Sequence, residues 1–278
     1  MKPEPLTVQL DDALFGGKAT QLAAAVRAGL PVPPGVALSV AFVDAVASGG
    51  AEARAELADL SRTLRLPLVA RSSAVGEDST QASFAGQHVT RLNLRSAREI
   101  VDAVCAIWSS AHTSSALAYR ERLGLPSEPR MAVVVQELVD ADTAGVLFTR
   151  NPVSGMDEVV IEAAWGLGEA VVAGLVTPDR FRLARDGTVL ERAAGLKDVV
   201  IRTDPAGGTR ETQVPRELAR ALCLDGRQLA ALHALAARCD QVFGGTHDVE
   251  WAFAGGRLHL LQRRTLTAIP AQPVEARP

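Results

Sequence analysis

Cysteine is nearly missing from this chain of 278 residues: Cys105, Cys223 and Cys239 are an odd number, with no CxxC spacing. That argues against a disulfide framework and a zinc site, and it suits the reduced cytoplasm. Aromatic residues make up only 4% of the sequence, so the core has to come mostly from Ala, Leu and Val. There is no excess of positive charge, since 29 Lys and Arg face 32 Asp and Glu for a net charge of -3. Nucleic acid is therefore not the expected main partner, because phosphate-backbone binding needs a concentrated basic surface. No apolar run is long enough to span a bilayer, and the opening MKPEPLTVQLDD lacks the apolar core of a signal peptide. No internal repeat is present. What remains is an ordinary soluble composition, 47% hydrophobic and 22% charged, in a chain long enough for two lobes.

The first helix is predicted over Gly17 to Ala28, with Leu22, Ala25 and Val26 on one face and Gly29 and Pro31 ending it. Lys18 falls in its first turn, where a cation opposes the helix dipole. An anion bound there relieves the conflict, with amide N–H groups and the lysine directed at one phosphate. Short helices follow over Ala41 to Ala47 and Ala51 to Leu60, then a buried strand over Leu68 to Arg71. It enters RSSAVGEDSTQASFAGQ, Arg71 to Gln87, a loop of small and hydroxyl residues led by an arginine. Such a loop can cradle a polyphosphate with backbone N–H groups while the Arg71 fork takes its oxygens; it lacks the GK[ST] ending of a Walker A loop. A strand is predicted over His88 to Leu94. One long helical region, Ala97 to Leu123, opens on the Ser96/Glu99 capping box and closes at Gly124.

Met131 to Val139 reads as a strand that turns polar at its end, Gln136-Glu137-Leu138-Val139. Backbone groups of Glu137 and Val139 could pair with an adenine edge there, with an apolar side chain against its face; a plain strand exit is the alternative. Further on come a strand over Glu158 to Ala163 carrying Glu162 and a hairpin around Asp186-Gly187. A helix capped by Asp225 runs to Phe243 with Leu229, Leu232, Leu235 and Ala236 on one face.

The stretch from His247 to Arg264 predicts two strands joined at Gly255-Gly256. Alternation places Asp248 and Glu250 on one face of the first strand, and Gln262 and Arg264 on one face of the second. Whether those faces coincide depends on the loop. An odd loop, such as a three-residue turn with glycine in the left-handed region, sets Glu250 opposite Gln262, and a two-residue loop sets them on opposite faces. In the odd case Trp251, Phe253, His259 and Leu261 form the buried face. A carboxylate and an amide oxygen side by side suit Mg²⁺, and Arg264 one step beyond can hold a phosphate oxygen.

Taken in order, GGKATQL, VARSSAVGEDSTQASFAGQ, VVVQELV, GVLFTRNPVSG, IEAAWGLGEAVVAG and VEWAF with LHLLQRR resemble the N-terminal ATP-binding domain of the dikinase family. That family includes phosphoenolpyruvate synthase, pyruvate phosphate dikinase and rifampicin phosphotransferase, and the likeness runs from Gly16 to Thr267. It implies an α+β fold of ATP-grasp type, two lobes with the nucleotide in a cleft between them. The expected division is 1–130 for the N-terminal lobe with its phosphate loop, 131–267 for the lobe with the adenine segment and metal site, and 268–278 for a flexible tail. By the same resemblance, Lys18 and Arg71 hold the ATP phosphates and Gln136 to Val139 hold adenine. Glu250 and Gln262 bind Mg²⁺, and Arg264 touches the transferred phosphoryl group. Two motifs depart from the family pattern. Ala19 stands where a glycine follows the lysine, and LQRRT replaces LQSRP, with Arg263 for the small residue and Thr265 for the proline.

Family members continue into a swivelling domain whose histidine accepts the phosphoryl group, and none of His88, His112, His233, His247 or His259 sits in a comparable motif. The expected activity is ATP-dependent phosphoryl transfer, either to a histidine domain supplied in trans or to a small-molecule acceptor. An ATP-grasp ligase forming an acyl phosphate and a nucleotide-binding partner without turnover are the alternatives.

Overall fold

A computed structural model of the chain describes residues 2–76, 89–122, 124 and 126–266. The expected phosphate loop beyond residue 76 and the expected tail from 268 lie outside the described residues. The chain divides into two units, one of Met1–Asp140 with Arg202–Arg210 and one of Ala141–Ile201 with the chain from Glu211.

The first unit contains β1 (Glu4–Pro5), α1 (Asp12–Arg27), β2 (Gly35–Leu38), α2 (Val40–Ala47), α3 (Ala51–Thr63), β3 (Leu68–Ala74), β4 (Thr90–Leu94), α4 (Ala97–Ala111), α5 (Ser114–Arg122) and β5 (Met131–Glu137). Its strands form a five-stranded sheet in the order β1-β2-β5-β3-β4, antiparallel at each pairing. Strand β5, assigned to the second lobe by the expected break at residue 130, lies between β2 and β3 at the centre of this sheet. Its six buried residues have neighbours on both edges, so it cannot be detached from the first unit. One face of the sheet, with Leu68, Ala70, Val133 and Val135, packs with Phe42, Leu57, Ile100, Val104 and Ile107 from α2, α3 and α4. These aliphatic side chains supply most of the core, as the scarcity of aromatics requires.

The predicted helix over Ala97 to Leu123 is two helices. Ser96 caps α4 through a bond from Glu99 N at 3.2 Å, and Thr113 Oγ1 accepts from Ala116 N at 3.2 Å to start α5. Hydroxyl side chains compete with the helical backbone in this way, which divides an otherwise continuous pattern.

The second unit holds β6 (Thr143–Phe148), β7 (Val159–Trp165), α6 (Glu169–Val172), β8 (Asp179–Leu183), β9 (Val189–Ala193), α7 (Arg216–Ala219), α8 (Gly226–Phe243), β12 (His247–Ala254) and β13 (Arg257–Thr265). Strands β10 (Val199–Thr203) and β11 (Thr209–Gln213) form a separate two-stranded ribbon. The main sheet has six strands in the order β13-β12-β6-β7-β8-β9, antiparallel at each pairing. Asp225 caps α8 as expected, in a reciprocal box with Gln228, and Leu229, Leu232, Leu235 and Ala236 are all buried. Helix α8 covers one face of the sheet over β6, β12 and β13. The α+β class expected from the sequence is the class observed. Among the described residues, no helix is long and apolar enough to cross a membrane.

Candidate nucleotide and metal site

In the second unit the hairpin turn has two residues, not three. Gly255 and Gly256 occupy it with φ of 54° and 74°, a left-handed pair that matches the twist of the flanking strands. A regular ladder from that turn would set Leu261 opposite Glu250. Instead the register shifts: Trp251 pairs with Leu260 and Glu250 pairs with Gln262. Leu261 is the extra residue of a β-bulge, and it restores the odd count that the turn does not supply. Asp248 pairs with Arg264, so Asp248, Glu250, Gln262 and Arg264 project from one face. The expected inner face needs correction for the same reason. Trp251 and Phe253 are buried, but their cross-strand partners are Leu260 and Leu258 rather than Leu261 and His259, and His259 stands opposite Ala252 on the other face.

The polar face continues across the sheet. Glu250 lies beside Val146, Val146 beside Glu162, and Glu162 beside Arg180. The neighbouring row runs Arg264, Asp248, Phe148, Val160, Arg182. Val146, Phe148, Glu162, Arg180, Arg182, Glu250 and Arg264 are all half-buried. On the reverse face Leu147, Ile161, Phe181, Val249 and Trp251 are buried. The sheet is thus sealed by core on one side and offers a partly open, charged surface on the other, the form of a ligand platform.

Asp248 is the residue whose role the sequence reading left unassigned. Its Oδ1 is buried with no hydrogen-bond partner among the described residues. Burial pushes its carboxyl up to about 6, the charge of Glu250 adds to the rise, and Arg264 opposes it. Its place two residues before Glu250 on the same strand was the available signal. With its amide oriented to satisfy both ends, Gln262 Oε1 accepts from Arg264 Nε at 2.7 Å and Nη2 at 2.9 Å. These two bonds hold the guanidinium against the Gln262 amide.

This donor set fits Mg²⁺. Glu250 and Gln262 carry a carboxylate and an amide oxygen at directly opposed positions, the amide oxygen being held by Arg264 and open to an ion only when that guanidinium turns aside, and an orphaned carboxylate oxygen of Asp248 lies on the same face. Among the described residues there is no group of three or more His, Cys, Asp or Glu that could hold a metal. A magnesium ion that takes few protein ligands and leaves the rest to water and phosphate has no need of such a cage.

In the first unit Lys18 lies where α1 meets β3. Helix α1 starts at Asp12 on an Asp11 cap, earlier than predicted, and Gly16 interrupts it with φ 73° and ψ 165°. The second segment therefore begins at Gly17, as the sequence suggested. A Cβ on Gly16 would overlap the carbonyl of Ser73, so only glycine allows this close approach. Lys18 is 7% exposed, and its Nζ donates to the carbonyl of Ser72 at 2.7 Å. Ser73 Oγ accepts from Ala19 N at 3.0 Å and donates to Phe15 O at 2.8 Å. One of the helix-start amides expected to face an anion is thus engaged by a serine hydroxyl. Arg71, half-buried, precedes Ser72 on β3 and shares a face with Ser73.

The adenine candidates follow on β5. Gln136 is buried and its Nε2 donates to Pro33 O at 3.0 Å. The amide of Glu137 donates to Pro34 O at 2.9 Å and that of Leu138 to Pro67 O at 2.9 Å. The Glu137 carboxylate takes the Arg65 amide at 3.1 Å. The N–H groups of Glu137 and Leu138 are therefore committed to neighbouring chain. Val139, half-buried, follows the end of the strand.

The family model for the pyruvate phosphate dikinase AMP/ATP-binding domain matches residues 44–278, a span that includes Arg71, the 136–139 stretch and the hairpin but not Lys18. The chain is 34% identical over 306 residues to a probable phosphoenolpyruvate synthase of Methanothermobacter thermautotrophicus, covering 93% of this chain and 45% of that protein. It is 35% identical over 299 residues to the prodigiosin synthesizing transferase PigC of Serratia marcescens, covering 97% and 33%. It is 38% identical over 214 residues to a rifampicin phosphotransferase of Streptomyces sviceus, covering 76% and 24%. The chain thus spans less than half the length of each of these relatives. With the model matched over most of its length, the chain belongs to the pyruvate phosphate dikinase AMP/ATP-binding domain family.

Proposed function

We propose that this chain binds MgATP and is the ATP-cleaving part of a dikinase-type phosphotransferase. One observation carries the reading: the bulged hairpin that sets Glu250 opposite Gln262, with Asp248 and Arg264 on the same face. Glu250 and Gln262 hold the magnesium ion, which when bound neutralises phosphate charge. Lys18, Arg71 and Arg264 bind phosphate oxygens and balance the charge that spreads over the moving phosphoryl group. Catalysis of this kind is positioning and electrostatics rather than covalent chemistry by side chains. The segment Gln136 to Val139 receives adenine. With two of its amides engaged, the donor to the base falls to Val139. The ATP is cleaved to AMP; its β-phosphoryl group passes to a histidine on a separate swivelling domain or to a small-molecule acceptor, and its γ-phosphoryl group is transferred to water and leaves as inorganic phosphate. The chain works in the cytoplasm, in keeping with the free Cys105, Cys223 and Cys239.

Phosphorus NMR of ATP and Mg²⁺ incubated with the protein, with and without a candidate histidine domain, is the test. AMP as product, lost in Glu250→Ala, is the expected result. ADP with an acyl phosphate would assign the chain to the ligases instead. ATP that binds but is not cleaved with any acceptor would make it a nucleotide-binding partner.

A further inference from the structure

Strands β10 and β11 form a ribbon outside both large sheets, and within it the chain changes unit twice. The root of the ribbon belongs to the second unit, and its tip, Arg202–Arg210, belongs to the first. Every residue of β11 is exposed or half-buried, and β10 buries only Val200 and Ile201. A lone two-stranded ribbon is marginal in water, so this one has to be held from outside. At the root Leu167 N donates to Ile201 O at 2.9 Å and Val214 N to Asp198 O at 2.8 Å.

The tip is held by side chains of β4, the edge strand of the five-stranded sheet. Asn93 Nδ2 donates to Asp204 O at 2.7 Å and to Gly208 O at 2.7 Å. Arg95 Nη1 donates to Pro205 O at 2.5 Å and to Asp204 O at 3.4 Å. Thr203 Oγ1 adds a bond to Asp140 Oδ1 at 3.1 Å. The backbone around Asn93 aims it at the tip. Leu68 pairs with Leu94 and Ala70 with Arg91, so the register shifts by one residue at Leu92 and Asn93, and a bulge of this kind redirects a side chain. Asn93 is also the one non-glycine residue with positive φ among the described residues, at 59°. That conformation costs free energy and persists where the surroundings require it. Asn93 is 1% exposed, and its Oδ1 has no hydrogen-bond partner among the described residues. The residue therefore serves the ribbon through its two N–H donors.

We infer that the β10–β11 ribbon is a strap, fastened to the first unit by Asn93 and Arg95, and that its fastening is coupled to nucleotide binding. The coupling has a route through the chain. Thr203 is tied to Asp140, which follows the Gln136 to Val139 segment, and the chain leaves the first unit directly after it. Two of the places where the chain passes between units, after Asp140 and after Ile201, thus share one anchor. Restraining them in advance reduces the conformational entropy that binding has to remove. The coupling rests on the MgATP reading above; the fastening does not.

Hydrogen exchange of the full chain, with and without MgATP, and calorimetric titration with MgATP test both halves. Asn93→Asp keeps the shape and tolerates the left-handed backbone, but it sets acceptors against two carbonyls. Arg95→Met removes an exposed fastener and leaves the core untouched. Asn93→Asp should speed exchange at residues 203–210 by about 10- to 100-fold, and Arg95→Met by less, with β3 and β5 protected as before. Asn93→Asp should also bind MgATP about 5-fold or more weakly, and MgATP should slow exchange at the tip of the wild type, because such coupling is reciprocal. Tip exchange unchanged in both variants overturns the fastening. A loosened tip with undiminished MgATP affinity overturns the coupling and leaves the nucleotide reading intact. A wild type that does not bind MgATP overturns that reading and the coupling together, while tip exchange still decides the fastening.

Discussion

Glu250 and Gln262 stand opposite each other because the register shifts by one residue at Leu261, between Trp251↔Leu260 and Glu250↔Gln262. The bulge turns a two-glycine hairpin, which would otherwise separate the carboxylate and the amide onto opposite faces, into a two-oxygen site. If both oxygens hold one ion, their removal is not additive. Glu250→Ala and Gln262→Ala, measured singly and together by titration with ATP in the presence and absence of Mg²⁺, should show a coupling of about 0.5–3 kcal/mol in the Mg²⁺-dependent part. Additive losses would mean that the two side chains act on different groups.

Lys18 serves the first unit as well as its proposed ligand. Its Nζ donates to the Ser72 carbonyl across 54 positions of sequence, and the side chain is buried where α1 meets β3. Lys18→Met removes the donor, so unfolding without nucleotide should lose about 1–3 kcal/mol, the cost of leaving a buried acceptor unpaired. Urea denaturation at constant m-value measures this. The ATP-induced rise in melting temperature should shrink in the same variant; an undiminished rise would remove Lys18 from the phosphate site.

Arg263, the residue that replaces the small one of the family pattern, points away from the site. It is buried on the α8 side, with Nη1 3.0 Å from His247 Nδ1 and its guanidinium carbon 3.8 Å from the centre of the Phe243 ring. His247 must accept that bond through Nδ1. Burial, reinforced by the nearby Arg263 charge, lowers its pKa and favours this neutral form. Arg263→Ser should cost about 1–3 kcal/mol of stability through lost packing, cation–π contact and an unpaired His247 nitrogen. Affinity for MgATP in the cold, where the variant stays folded, should be unchanged. A drop in affinity without a drop in stability would place Arg263 in the site.

Glu158 is the clearest source of acid sensitivity in the second unit. The hydrogen bond from Arg182 holds its carboxyl below the usual range, burial opposes, and a bond from Asn151 at 2.6 Å adds to the depression. A folded-state pKa below the unfolded value means that this contribution is complete above the unfolded pKa of about 4.3 and is lost as pH falls through the folded one. Glu158→Gln should therefore melt at a lower temperature than the wild type at neutral pH and show a flatter decline on acidification. Melting curves from pH 7 downward in the two proteins decide this, and parallel declines would count against it.

The sequence by itself determined what is local. The Asp225 cap of α8, its apolar stripe, the start of the second helical segment at Gly17 and the common face of Asp248 and Glu250 all follow from dihedral preferences and side-chain periods that act within a few residues. The order of the motifs pointed to the family. Only the tertiary structure decided which of these pieces meet. Strand β5 belongs to the first sheet because β2 and β3 offer it hydrogen bonds on both edges. Lys18 is tied to Ser72, and Glu250 faces Gln262 because a bulge, not the turn, adjusts the register. Glu162 and Arg180 join that row through two further strand pairings. Alternation along a strand says which residues share a side, but the pairing between strands is chosen by loop length, bulges and the packing of the buried face, none of which is written in any short stretch of chain.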